Sequence, residues 1–128
     1  MILLDTVSLI RHFTGNANIG NEAKEIIAKT ISEEKMIFIS VISLMEVIYL
    51  SEKNRIDLDL NQTIDSIESN ENYKIVDLTP QILEIAWANF FYELHDRLII
   101  ATAKWLDVPL VTSDRKIRDS EIVDTIWD

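Results

Sequence analysis

Two apolar runs in this chain end on a carboxylate. Met1-Ile2-Leu3-Leu4 leads into Asp5, and Pro109-Leu110-Val111-Thr112-Ser113 leads into Asp114. Short apolar runs of this kind predict strands of a buried parallel sheet. In open α/β sheets the crevice beyond the carboxyl ends of the strands is where ligands bind. Two aspartates brought there from distant sequence are hard to explain as packing, because a buried charge needs a partner. A divalent cation is a partner that several carboxylates can share.

Two further acids fit the same place. Asp96 lies in Glu93-Leu94-His95-Asp96-Arg97-Leu98-Ile99-Ile100, ahead of an apolar helical pattern. Its local alternative is strong, since an Asp at a helix start caps free amides and suits the macrodipole. Glu46 lies in Ser43-Leu44-Met45-Glu46-Val47, where Ser43 and Glu46 have capping-box spacing. Against that, Glu46 is the one acid of an otherwise apolar stretch that follows a predicted strand. Taken together, Asp5, Glu46, Asp96 and Asp114 would crowd one rim of the sheet and repel unless neutralised. An all-oxygen set without cysteine or paired histidines suits a hard cation, Mg2+ or alternatively Mn2+. Such a cation commonly joins carboxylates to phosphates, so the matching chemistry is phosphodiester hydrolysis. Thr6, Ser43, Thr112 and Ser113 could orient the carboxylates or a water. Local backbone bonding explains Ser43 at least as well.

The elements that must position these acids are legible from periodicity and turn signals. Strands are expected at residues 1–4, 36–40, 73–78, 109–113 and 122–125. Helices are expected over 6–13, 21–32, about 44–53, 58–68, about 80–92 and 96–106. Thr79-Pro80 is a good helix start, with Thr79 as cap and Pro80 in the first helical position. The alternation predicts one domain over residues 1–128, a three-layer α/β/α fold around a central parallel sheet of four to five strands. The stretch from Ile82 to Leu94, including Trp87, Phe90, Phe91 and Tyr92, is apolar on almost every face. A surface helix would show a polar side, so a second copy or a protein partner is expected to cover it.

Composition narrows the class. The chain has 128 residues, 48% hydrophobic and 27% charged, with two Gly, two Pro and no Cys. That is a soluble globular composition, poor in the turn residues of sandwiches and barrels, and free of disulfides and thiolate metal sites. The first apolar run is too short for a signal peptide and no stretch approaches a membrane span, so a cytoplasmic protein is expected. The formal net charge of −10 argues weakly against loose binding of nucleic acid. Its distribution argues less: Arg11, Arg97, Arg115, Lys116 and Arg118 all lie near the suspect acids in sequence.

The ordered set Met1-Ile2-Leu3-Leu4-Asp5-Thr6, Ser43-x-x-Glu46, Asp96-Arg97-Leu98-Ile99-Ile100-Ala101-Thr102-Ala103 and Leu110-Val111-Thr112-Ser113-Asp114 resembles the motifs of PIN-domain ribonucleases. The resemblance is greatest to VapC-type toxins of prokaryotic toxin–antitoxin pairs, and it extends over essentially the whole chain. It implies a magnesium-dependent endoribonuclease acting on RNA, usually a homodimer, inhibited by a cognate antitoxin protein. It places Asp5, Glu46, Asp96 and Asp114 as the metal-site acids, with Thr112 as a supporting hydroxyl. One departure is Val7, where many relatives with the Asp-Arg-Leu-Ile helix carry His. Val7 also weakens two rivals, the aspartyl-phosphate enzymes and receiver domains, which want a second early acid. The remaining alternative is a catalytically silent PIN-like protein that binds RNA or scaffolds an assembly.

Overall fold

A computed structural model describes residues 1–88 and 93–128. Its elements run β1 (Ile2–Leu4), α1 (Thr6–Thr14), α2 (Asn21–Ser32), β2 (Ile37–Ser40), α3 (Val41–Glu52), α4 (Leu60–Glu68), β3 (Tyr73–Val76), α5 (Pro80–Ala88), α6 (Leu94–Leu106), β4 (Leu110–Val111), α7 (Arg115–Ser120) and β5 (Thr125–Ile126). The strands form one five-stranded sheet in the order β3-β2-β1-β4-β5, every pair parallel. Parallel neighbours need crossover connections, and here helices supply them.

Strand pleating explains the three layers. Successive side chains of a strand point to opposite faces. Leu3, Phe38 and Leu110 accordingly join one core with Ile82 and Ala86 of α5 and Leu98 and Ile99 of α6. Their neighbours Ile2, Leu4, Ile37, Ile39 and Val111 join the opposite core with Leu9 of α1, Ala23 and Ile27 of α2, and Ile67 of α4. Helix α3 serves both, through Ile42 on one side and Leu44 and Val47 on the other. Each fully buried Leu or Ile contributes roughly 1.5–3 kcal/mol over an exposed one, so the alternation fixes the register as well as the layers.

Local chemistry sets the boundaries. Helix α1 stops at Gly15, whose φ of 68° is left-handed and costs a glycine little. The Thr79 hydroxyl accepts from Ile82 N–H at 3.3 Å, so α5 starts as its Thr-Pro pair predicts. A side chain at Gly20 would strike the carbonyl of Trp127. That carbonyl accepts from Ala23 N–H at 3.0 Å, tying the segment after β5 to the first turn of α2.

Four expectations need correction. Helix α3 begins at Val41 with Ser40 as its cap, accepting from Ile42 N–H at 3.0 Å; Ser43 is therefore helical, and the Ser43–Glu46 capping box does not exist. Residues 82–94 are not one helix, because Glu93 is extended and α6 opens behind it at Leu94; Phe90, Phe91 and Tyr92 lie outside the described residues. The cap of α6 is Glu93, which accepts from Asp96 N–H at 2.7 Å, so Asp96 sits in the first turn rather than at the cap. The last strand is Thr125–Ile126, paired with Leu110 and Val111, while Ile122 and Val123 pack against the core as loop. Glu121, left-handed at φ 55° after α7, turns the chain before it can extend.

Candidate active site

Strand order fixes where the acids meet. From β1 the chain crosses to β2 and then β3 on one side, and later returns to place β4 and β5 on the other. The switch point lies between β1 and β4, where a crevice forms at the carboxyl ends of the strands. Leu4 pairs with Val111, so Asp5 follows β1 level with Thr112, and Asp114 follows two residues on. Glu46 comes from α3, which leaves the carboxyl end of β2. Asp96 comes from the first turn of α6.

Each acid is held by its own element. Asp5 caps α1, accepting from Ser8 N–H at 2.8 Å, and its backbone N–H donates to Val111 O at 3.1 Å. Asp114 caps α7, with Oδ1 accepting from Lys116 N–H at 2.8 Å and Ile117 N–H at 3.3 Å. Thr112, fully buried, accepts from Asp114 N–H at 3.1 Å and bonds the Asp5 carboxylate through its hydroxyl. One threonine thus ties the two strand-end aspartates together. On the other flank the Thr6 hydroxyl lies 2.7 Å from Glu46 Oε1 and 3.1 Å from Ser43 Oγ.

The electrostatics record the convergence. Burial pushes the Asp5 carboxyl up, against the hydrogen bonds from Thr112 and Ser8, and the charge of Asp114 adds to the rise. Asp96 is pushed up to about 6, by burial first and then by the charges of Glu93, Asp114, Glu46 and Asp5. All four candidate acids therefore share one field. Among the described residues the ion pairs are Lys35–Glu33, His95–Glu93 and Arg118–Asp128, so none of the four is neutralised that way. Arg97, next in sequence to Asp96, has a buried Nε with no hydrogen-bond partner.

The donor set, carboxylates alone with hydroxyls behind them, fits a hard divalent cation. As they stand the acids are spread: among the described residues no group of three or more His, Cys, Asp or Glu is gathered so as to hold an ion. A concavity of about 740 Å³ at the end of α1, between Phe13, Ile56, Leu58 and Gln62, is lined by none of the four acids. No helix among the described residues is long and apolar enough to cross a membrane.

Sequence reasoning missed two site residues. Ser8 is fully buried, gives its amide to Asp5 and its hydroxyl to Val111 O at 3.0 Å. Its signal was the Asp5-x-x-Ser8 spacing of a helix start. Glu93 carries the cap expected of Asp96, and its position before the apolar pattern was the clue.

Residues 2–122 match the family model described as PIN domain. Among curated proteins no sequence matches the chain. Several solved structures share the fold. A toxin–antitoxin complex from Klebsiella pneumoniae is 25% identical, with a TM-score of 0.64, covering 91% of this chain and 88% of that one. VapBC2 from Rickettsia felis, solved on a DNA fragment from its promoter, is 19% identical with a TM-score of 0.67, covering 100% of each chain. VapC20 of Mycobacterium tuberculosis, a toxin that cleaves the sarcin–ricin loop, is 17% identical with a TM-score of 0.67, covering 97% of this chain and 98% of that one.

Proposed function

We propose, from the premise that the chain belongs to the PIN-domain family, that it is a metal-dependent endoribonuclease and the toxin of a toxin–antitoxin pair. The observation that carries this is the meeting of Asp5, Glu46, Asp96 and Asp114 in one field at the switch point, with no ion pair among the described residues to neutralise them. The solved relatives that are toxin–antitoxin complexes support an antitoxin partner, and a cytoplasmic setting belongs to the same reading.

In this reading the four acids hold Mg2+, with Mn2+ as the alternative. When bound, the cation would supply positive charge for a phosphoryl oxygen and would make a bound water easier to deprotonate for attack at phosphorus. The chain's own residues do the rest. Asp5 and Asp114 are fixed by their helix amides and by Thr112, so the strand ends are preorganised. Glu46 is fixed through Thr6. Asp96 has its carboxyl raised toward 6, so its charge depends on what neutralises the site. Among the described residues no three such side chains are gathered closely enough to hold an ion, which leaves a second reading, a catalytically silent PIN-like protein that binds RNA or scaffolds an assembly.

Incubating RNA with the purified chain, in magnesium and in EDTA, separates the two. The nuclease reading expects magnesium-dependent cleavage that Asp96→Asn removes. Binding without cleavage, unchanged by magnesium, would leave the silent reading in its place.

A further inference from the structure

The contact between α1 and α3 has a direction that the site's chemistry can use. Thr6 is the first residue of α1, directly after Asp5, and Ser43 and Glu46 lie one turn apart on the facing side of α3. The Thr6 Oγ1 sits 2.7 Å from Glu46 Oε1 and 3.1 Å from Ser43 Oγ. A hydroxyl carries one proton, and an ionised carboxylate only accepts. Both contacts are satisfied by a single assignment: Thr6 donates to Glu46, and Ser43 donates to the Thr6 oxygen. Ser43 is fully buried and Thr6 nearly so, so water does not compete for the proton that Ser43 gives, while the Thr6–Glu46 contact is part-buried. Among the described residues, Thr6 is the Ser43 hydroxyl's one partner.

We propose that Thr6 is the positioning residue for Glu46, and that Ser43 acts on the site through Thr6 by directing its proton. The relay rests on the metal-site reading above and specifies how one ligand of that site is held. Glu46 projects from α3 among Leu44, Met45 and Val47, with a flexible side chain of three torsions. Holding Oε1 fixes the carboxylate plane and leaves Oε2 for the site. Because Thr6 is joined to Asp5 through the backbone, the relay also locks Glu46 to the carboxyl end of β1. A threonine suits this role, since its branched Cβ restricts χ1 and aims the hydroxyl.

The alternative is that the three groups merely satisfy one another in packing. Variants of the full chain separate these, using thermal melts across a magnesium titration alongside RNA cleavage. The relay expects Thr6→Val, isosteric without the hydroxyl, to need roughly 10–100-fold more magnesium for half of its stabilisation. Thr6→Ser should stay within a few-fold of the parent, and Ser43→Ala should fall between. In a Glu46→Ala background, Thr6→Val should leave the midpoint where it is. A Thr6→Val midpoint equal to the parent's overturns the proposal. So does an equal loss in Thr6→Val and Thr6→Ser, or a Thr6→Val effect that persists without Glu46. Should Thr6→Val fail to fold, Thr6→Ala takes its place. If the parent itself shows neither magnesium stabilisation nor cleavage, the metal-site reading has failed, and melts in EDTA decide the relay by double-mutant cycle. Coupling between Thr6→Val and Glu46→Ala that Ser43→Ala diminishes keeps it; additivity removes it, and so does coupling that Ser43→Ala leaves unchanged.

Discussion

Asp96 is the residue at which local and collective explanations part most clearly. It donates its amide to Glu93 instead of capping the helix itself, so the capping role is taken and its carboxylate is left to the site. Its carboxyl, ordinarily near 3.8, is raised to about 6 by burial and by four neighbouring acids. Between those values the folded chain keeps a proton that the unfolded chain has lost. Stability of the metal-free protein must therefore fall as pH rises through that window, and the full penalty stands above about 6. Burial raises Asp5 in the same direction. Asp96→Asn should remove its share, so in EDTA its melting temperature should exceed the parent's at pH 7.5 and match it near pH 4. The gain should be small, because the group is half exposed and water screens it. RNA cleavage in magnesium should be lost in the same variant. A variant that cleaves at the parental rate, or melts in parallel with the parent at every pH, removes Asp96 from the cluster.

At the scale of elements, the sequence was most legible where two signals agreed. Periodicity and a turn residue together placed α1, α2 and α5, and the apolar runs placed β1, β2 and β4 on the right strands of the sheet. Candidate acids at strand ends followed from that, because the rise of a strand and the start of a helix are both short-range properties. What could not be read were features set by tertiary neighbours. Ser40 and Ser43 are both residue types that cap helices, and in the fold Ser40 caps α3 while Ser43 lies inside it and bonds Thr6. The final strand depends on pairing with β4, so alternation alone misplaced it by about three residues. Helix α7 offers the test proper to this scale. Asp114 caps it and also faces Asp5 and Asp96, so structure and function make opposite demands on one side chain. Asn keeps the cap and relieves repulsion. Asp114→Asn should leave stability in EDTA unchanged or raise it by roughly 0.5–2 kcal/mol, while magnesium, which stabilises the parent by mass action, does much less for the variant. Melts of both proteins with and without magnesium decide this. Equal magnesium shifts would take Asp114 out of the metal site, and a loss of stability in EDTA would show that its charge is not repelled there.

For the molecule as a whole, the two sides of α5 are unequal. Ile82 and Ala86 are buried in the core, while Leu83 is 48% and Trp87 86% exposed on the outer face. Trp105 of α6, 44% exposed, lines an open cleft with Ile85 and Ala88 and with the polar Gln81, Glu84 and Lys104. Exposed apolar patches of this sort mark contact with another molecule. With a net charge of −10, two copies repel at long range, and an apolar seat is what could hold them together against that repulsion. An aromatic side chain buries about 150–250 Å² when covered, worth roughly 4–6 kcal/mol at ~25 cal/mol per Å² before the costs of association. The homodimer that the family resemblance implies should therefore depend on Trp87. Replacing it by Glu removes that burial and adds a charge to each copy, and should weaken dimerisation by at least ~10-fold, about 1.4 kcal/mol. Light scattering across a concentration series reads the change, with Ala28→Glu on the exposed part of α2 as a control for charge alone. An unchanged dimer in the Trp87 variant places the contact elsewhere on the surface. A parent that stays monomeric at high concentration removes the dimer altogether, and leaves the antitoxin as the molecule to be sought over α5 by testing whether Trp87→Glu blocks its binding.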